Sequence, residues 1–195
     1  YGWNIIGKRL LDIIFASLVL IITSPVIGIV ALLIKITSQG PVFFKQERMG
    51  MDGKIFNMLK FRTMFINAEQ ETGPVWTKKG DPRCTKTGKF LRRTSIDELP
   101  QFINVLRGDM SIVGPRPERP VFIQNFRNTI PKYMLRHKMK AGITGWAQVS
   151  GWRGNTSLEK RIEYDLYYIE NWTLNFDLKI IWLTLWNGFV NKHAY

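Results

Sequence analysis

Residues 13–34 read IIFASLVLIITSPVIGIVALLI, a run without a single charged side chain. As a straight helix it would rise about 33 Å, against a hydrocarbon core of about 30 Å. A chain of 195 residues has too little protein to wrap a helix of that length, so the run is read as a membrane element. Ser24-Pro25 stands near its middle. Proline removes a backbone donor and crowds the preceding turn, and the hydroxyl of Thr23 or Ser24 is placed to satisfy the freed carbonyl. Lys8 and Arg9 precede the run, and Lys35, Lys45 and Arg48 follow it, so the charge imbalance that orients a spanning helix is weak. On the residues alone two topologies stay open: a helix that enters, bends at Ser24-Pro25 and returns, or a kinked helix that crosses. Asp12 is expected at the interface, paired with Lys8 or Arg9.

Composition narrows the rest. The chain carries 28 basic and 15 acidic residues, a net charge of +13, which favours anionic partners: nucleotides, phosphates, nucleic acid or an anionic membrane. One cysteine, Cys84, excludes an internal disulfide framework, and His137 and His193 are too few for a multi-histidine metal centre. Metal chemistry therefore falls to carboxylates. The first residue is Tyr1 rather than methionine, so the chain reads as part of something longer or as a processed product.

Beyond Gly40-Pro41 the sequence turns to shorter elements. Asp52-Gly53 fits a tight turn between two strands, PVFFKQERMG and KIFNMLKFRTM. An extended KFRTM would put Lys60 and Arg62 on one side, facing phosphate. Residues 66–90 are rich in turn formers and read as a surface loop or lid. The stretch 76–93 holds seven basic residues against one acid, Asp81, and is read as an anion or membrane contact. The run 132–140, with Lys132, Arg136, Lys138 and Lys140, is expected against lipid headgroups. WAQVSGW reads as extended. LEKRIEYDLYYIENW reads as a helix with an apolar side of Leu158, Ile162, Leu166 and Ile169, on which Asp165 is by default an exposed acid. In the last segment Trp182 and Trp186 share a helical face, as at a lipid interface.

The chemistry concentrates in SIDELPQ, residues 95–101, directly after the basic run. Ser95/Glu98 and Thr94/Asp97 both have capping-box spacing, so capping and chemistry stay equally open for the two acids. In residues 112–120, IVGPRPERP, Pro115, Pro117 and Pro120 stiffen a short loop that carries Arg116 and Arg119, and an arginine fork matches phosphate geometry.

Together KRLLDIIFA with its later SP, GPVFFKQERMG, DGKIFNMLKFRTM, SIDELPQFINVLRGDMSIVGPRPERP, AGITGWAQVSGWRG and FDLKIIWLTLWNGFVNKHAY resemble the bacterial sugar transferases, also called monotopic phosphoglycosyl transferases. The likeness covers almost the whole chain and leans to the members that transfer glucose 1-phosphate to undecaprenyl phosphate in exopolysaccharide initiation. Ser150 and a short segment after Trp152 depart from the pattern. The resemblance implies an α/β membrane-associated catalytic domain: a re-entrant helix hairpin over residues 1–39, then a catalytic region over 40–195 with short strands and interfacial amphipathic helices. It implies a bacterial inner-membrane location facing the cytoplasm, and further domains before Tyr1. It assigns Asp97 as a nucleophile attacking the β-phosphorus of a UDP-sugar, with Glu98 assisting in metal or proton handling. Mg2+ would be held by Asp97 and Glu98. Arg92, Arg116, Arg153, Lys60 and Arg62 are the expected substrate contacts, with Asp165, Pro115 and Pro117 in support. The expected partners are UDP-sugar, undecaprenyl phosphate and anionic lipids, without nucleic acid. Galactose is the alternative sugar, and a non-enzymatic anion- or nucleic-acid-binding module is the alternative class.

Overall fold

A computed structural model describes residues 2–70, 73, 75, 80–154 and 156–190. Trp76, Lys78 and Lys79 of the basic run, His193 and the final NKHAY lie outside the described residues. Helix α1 spans Gly2–Thr37, longer at both ends than its uncharged centre, with Pro25 inside it. It is one helix rather than two separated by a loop. The reason is local: Pro25 cannot donate to the Ile21 carbonyl, and the Ser24 hydroxyl donates to that carbonyl instead, at 2.8 Å. Thr23 likewise donates to Val19 O at 2.6 Å. α1 is long and apolar enough to cross a membrane, and its middle is bare, with Ile21 and Ile22 70% and 73% exposed.

Both halves of α1 dock on the body that follows. The first half docks through polar groups: Asp12 accepts from Ser111 Oγ and Ile112 N, and Lys8 donates to Asp177 at 2.7 Å. Arg9 donates to Val105 O and Leu106 O, the closing carbonyls of α3 (Gln101–Arg107), where a cation also complements the helix dipole. The second half docks through Val30 and Ile34, which pack with Phe61 and Leu91.

Strands β1 (Phe43–Met49) and β2 (Ile55–Phe61) form the expected antiparallel hairpin, running from Phe43 opposite Phe61 to Met49 opposite Ile55. Asp52 and Gly53 both take positive φ at its turn, which aspartate tolerates and glycine adopts without cost. Helix α2 (Lys86–Arg93) is capped by Thr85, whose hydroxyl accepts from Gly88 N. After α3 comes β3 (Met110–Val113), paired in parallel with β4 (Ala141–Thr144). Between them lie the proline loop and α4 (Pro120–Thr129). Gly114 and Gly142 allow the backbones to meet: a Cβ on Gly142 would stand 2.1 Å from Gly114 N.

The chain ends in α5 (Trp146–Val149), α6 (Leu158–Glu170) and α7 (Leu174–Val190). α5 corrects the extended reading of WAQV. α6 turns Ile162 inward as its periodicity predicts, but it also buries Asp165, which is not an exposed acid. Arg136 is equally buried and pairs with Asp165 at 2.6 Å, so it leaves the expected lipid-facing run. A charge enters a core only with a partner, and here the partner lies 29 positions away. On α7, Trp182 and Trp186 stack on one exposed face, as their spacing predicts.

Candidate active site

The turn Ile96–Glu98 is a single 3-10 turn entered from Ser95 in the left-handed region, with no side-chain cap. The capping explanation for the two acids therefore fails at Ser95, and the Glu98 carboxyl serves other contacts. Leu99 and Pro100 keep right-handed helical angles into α3, so the turn and helix run on without a break. Ile96 and Leu99, on either side of the acids, pack into the cluster of Val30, Ile34, Phe61 and Leu91. The acidic pair is thus seated directly on the second half of α1.

Glu98 lies between two cations. Lys60 Nζ donates to its Oε1 at 2.9 Å, and Arg116 Nη2 donates to the same oxygen at 2.6 Å. Burial disfavours its charge, but Arg116, Lys60 and, more weakly, Arg153 outweigh that and hold the carboxyl well below the usual glutamate range. Asp97 differs. It is 7% exposed, and burial pushes its carboxyl up to about 6; Glu98 adds to the rise while Lys60, Arg92 and Arg116 oppose it. Two adjacent acids are driven in opposite directions, a pattern that marks reactive sites.

The surrounding elements position these groups. Asn104 of α3 accepts from Leu59 N and donates to Asn57 O, locking α3 to β2 and bringing Lys60 to Glu98. Arg116 stands on a loop whose carbonyls are each held: Pro115 O by Gly142 N, Arg116 O by Arg136, Pro117 O by Arg48 and Glu118 O by Met49 N. With Pro115 and Pro117 fixing φ, the arginine fork is presented from a rigid base. Arg136 is in turn held by Asp165 and Tyr133. Arg153 donates to Ser95 Oγ, and Arg92 donates to Cys84 Sγ at 3.2 Å.

Lys60, Arg92, Asp97, Glu98, Arg116 and Arg153 therefore gather at one place. Arg62 does not join them. β2 ends at Phe61, so the strand alternation that paired Arg62 with Lys60 stops one residue short. The Arg62 guanidinium instead binds Gln39 O, Ser38 O and Ser38 Oγ at the end of α1. Sequence reasoning missed Asn104, Arg48 and Arg136. Only Arg136 carried a signal, as part of a basic run, and it pointed to lipid. As for metals, no cluster of three or more His, Cys, Asp or Glu side chains occurs among the described residues. The Asp97-Glu98 pair offers a small all-oxygen donor set of the kind magnesium uses together with substrate phosphates.

This constellation of paired acids among phosphate-matched cations agrees with a family match over residues 3–191 to the bacterial sugar transferases. The chain belongs to that family. Over 198 aligned residues, covering the whole chain, it is 54% identical to a UDP-glucose:undecaprenyl-phosphate glucose-1-phosphate transferase of Escherichia coli K12. It is 46% identical to a protein of the same name from Xanthomonas campestris. A relative from Aeromonas hydrophila, 45% identical over 91% of the chain, is named a UDP-N-acetylgalactosamine-undecaprenyl-phosphate N-acetylgalactosaminephosphotransferase. The chain spans 42% of the Escherichia coli relative's length and 41% of the Xanthomonas one's.

Proposed function

We propose that this sugar transferase moves a sugar 1-phosphate, glucose 1-phosphate first, from a UDP-sugar to undecaprenyl phosphate and thereby initiates exopolysaccharide assembly. One observation carries the reading: a desolvated Asp97 beside a cation-held Glu98, seated on an apolar helix long enough to enter a membrane. The substrate names come from the relatives, most of which carry glucose in their names.

In the first step an Asp97 Oδ attacks the β-phosphorus, a P–O bond forms, and the bond to the α-phosphate oxygen breaks to release UMP. In the second, a phosphate oxygen of undecaprenyl phosphate attacks the same phosphorus. The Asp97–phosphorus bond breaks, and the carboxylate is restored with the lipid diphospho-sugar as product. A nucleophile titrating near 6 is mostly ionised at pH 7 yet poorly solvated, which raises its reactivity. Lys60, Arg92, Arg116 and Arg153 bind and orient the phosphates, and the clamped loop keeps Arg116 aimed. Magnesium, held by Asp97 and Glu98, would offset diphosphate charge when bound.

Asn4 and Lys35, near the ends of α1, belong on one membrane face in this reading, with Ser24-Pro25 at the inserted apex and the site facing the cytoplasm at the bacterial inner membrane. The support is that both halves of α1 dock on one body while the middle stays bare. Cysteines introduced at Asn4 and Lys35 should react with an impermeant reagent from the same side; opposite sides would refute the hairpin. For the reaction, UDP-glucose should yield UMP and a sugar-phosphate adduct mapped to Asp97. Asp97→Asn should abolish both, and Glu98→Gln should slow them. Release of UDP, or an adduct on Glu98, would overturn the mechanism, and preferential use of UDP-galactose would overturn the choice of sugar.

A further inference from the structure

The inner face of α2 is fully engaged. Leu91 packs with Val30 and Ile34 of α1, and Gly88 lies so close to Thr63 that a Cβ there would stand 2.0 Å from the Thr63 carbonyl oxygen. Its outer face is different: Lys86, Lys89 and Arg93 are exposed, and Phe90 is exposed among them with the Arg93 guanidinium over its ring. Residues 82–96 contain no acid, and the nearest preceding one, Asp81, is occupied by Arg83. The adjoining loop extends this surface. Phe65 N bonds to Arg83 O, Met64 bridges to Cys84, and Phe65 and Ile66 are both exposed. Ile66 also packs at Gly40, just past α1, while Thr87 Oγ1 lies 3.2 Å from Thr37 Oγ1 at the end of that helix.

We propose that Lys86, Lys89 and Arg93, with Phe90, Phe65 and Ile66, form a docking surface for the anionic phospholipid headgroups around the second leg of α1. The proposal rests on the membrane reading of α1. Two features select a lipid surface over a soluble anion: three large apolar side chains lie exposed among the cations, and the patch adjoins the end of the apolar helix. Aromatic and aliphatic groups enter the headgroup layer while lysine and arginine meet its phosphates. Because Leu91 of α2 and Ile96 beside Asp97 share one cluster, docking here would also set the height of the catalytic turn above the bilayer.

The test uses the full chain reconstituted in vesicles, with an environment-sensitive fluorophore on a cysteine introduced at exposed Thr94 or, separately, at Ile21. Buried Cys84 is left in place, and the unsubstituted chain serves as the labelling background. Acrylamide, which is uncharged, is the quencher. The Ile21 probe should be protected in vesicles of phosphatidylcholine alone and in vesicles containing phosphatidylglycerol. The Thr94 probe should be protected only with phosphatidylglycerol. Each basic residue near an anionic surface contributes about five-fold, so the triple variant K86Q/K89Q/R93Q should lower the docking equilibrium constant on the order of 100-fold. A Thr94 probe equally quenched in both vesicle types, with Ile21 protected, would overturn the docking surface and leave the membrane reading intact. An unprotected Ile21 probe would remove the membrane reading and the proposal with it. Protection of Thr94 by a short RNA in phosphatidylcholine vesicles would assign the patch to a soluble polyanion and overturn the proposal.

Discussion

The two legs of α1 reach the same body by opposite means. The first docks through charges: Lys8 on Asp177, Arg9 on the end of α3, and Asp12 on Ser111 and Ile112. The second docks through hydrocarbon, with Val30 and Ile34 against Phe61 and Leu91. Directional bonds fix rotation and depth, because a helix that slides by one residue forfeits all of them. Apolar packing holds by area and tolerates small shifts. The Asp97-Glu98 turn is attached to the second, more forgiving leg through Ile96 and Leu99.

The largest expected effect is on the polar leg. Asp177 is fully buried and accepts from Lys8, Tyr168 and Trp172, so Asp177→Ala takes the shared acceptor from all three and leaves Lys8 and Tyr168 to share Val113 O. Removing one partner of such a pair costs about 3–5 kcal/mol, measurable as reduced stability to denaturant in detergent. The acid limb of the pH–rate profile should stay in place, because the partners of Asp177 are Lys8, Tyr168 and Trp172 rather than the Asp97-Glu98 turn. An unchanged stability would mean that the first leg does not depend on its charges.

Ile34→Ala should cost less, about 2–3 kcal/mol, for a buried methyl cluster whose neighbours can close up. Its distinguishing effect is on titration. Asp97 sits near 6 because burial disfavours its charge, so the native fold gains stability as pH falls through about 6 and lacks that gain at pH 7 and above. Loosening the cluster under Ile96 and Leu99 lets water in and lowers the Asp97 value toward its ordinary 3.8. The acid limb of UMP release should then move to lower pH. A limb that stays put, or moves up, would break the link between the second leg and Asp97.

The smallest effect belongs to Ser24-Pro25, between the two docked halves of α1. Ser24→Ala removes the hydroxyl that serves the Ile21 carbonyl and should cost about 1 kcal/mol in the apolar phase. Both docking interfaces should persist, with UMP release near that of the unsubstituted chain. A large loss of activity would give Ser24 more than a structural part.

What the sequence made legible was local in origin. The uncharged run 13–34, the Asp52-Gly53 turn and the stripe on α6 each state their place in the fold within a few residues. What stayed hidden depended on distant partners. Alternation placed Arg62 with Lys60, but nothing local shows that the strand stops at Phe61. Arg136 and Asp165 looked like surface charges because each is buried only by virtue of the other. Asn104, which aligns β2 with α3, is an unremarkable letter until the strand edge it serves is known.

The bond between Lys8 and Asp177 also orders events during synthesis. These residues are 169 positions apart, and ribosomes add about 5–20 residues per second. The start of the helix is therefore made on the order of ten seconds or more before Asp177 exists. Arg9 and Asp12 meet their partners sooner, 96 to 100 positions on, while Lys8 waits for Asp177 throughout. Final seating of the first leg is a late, long-range closure, completed only when α7 has left the ribosome.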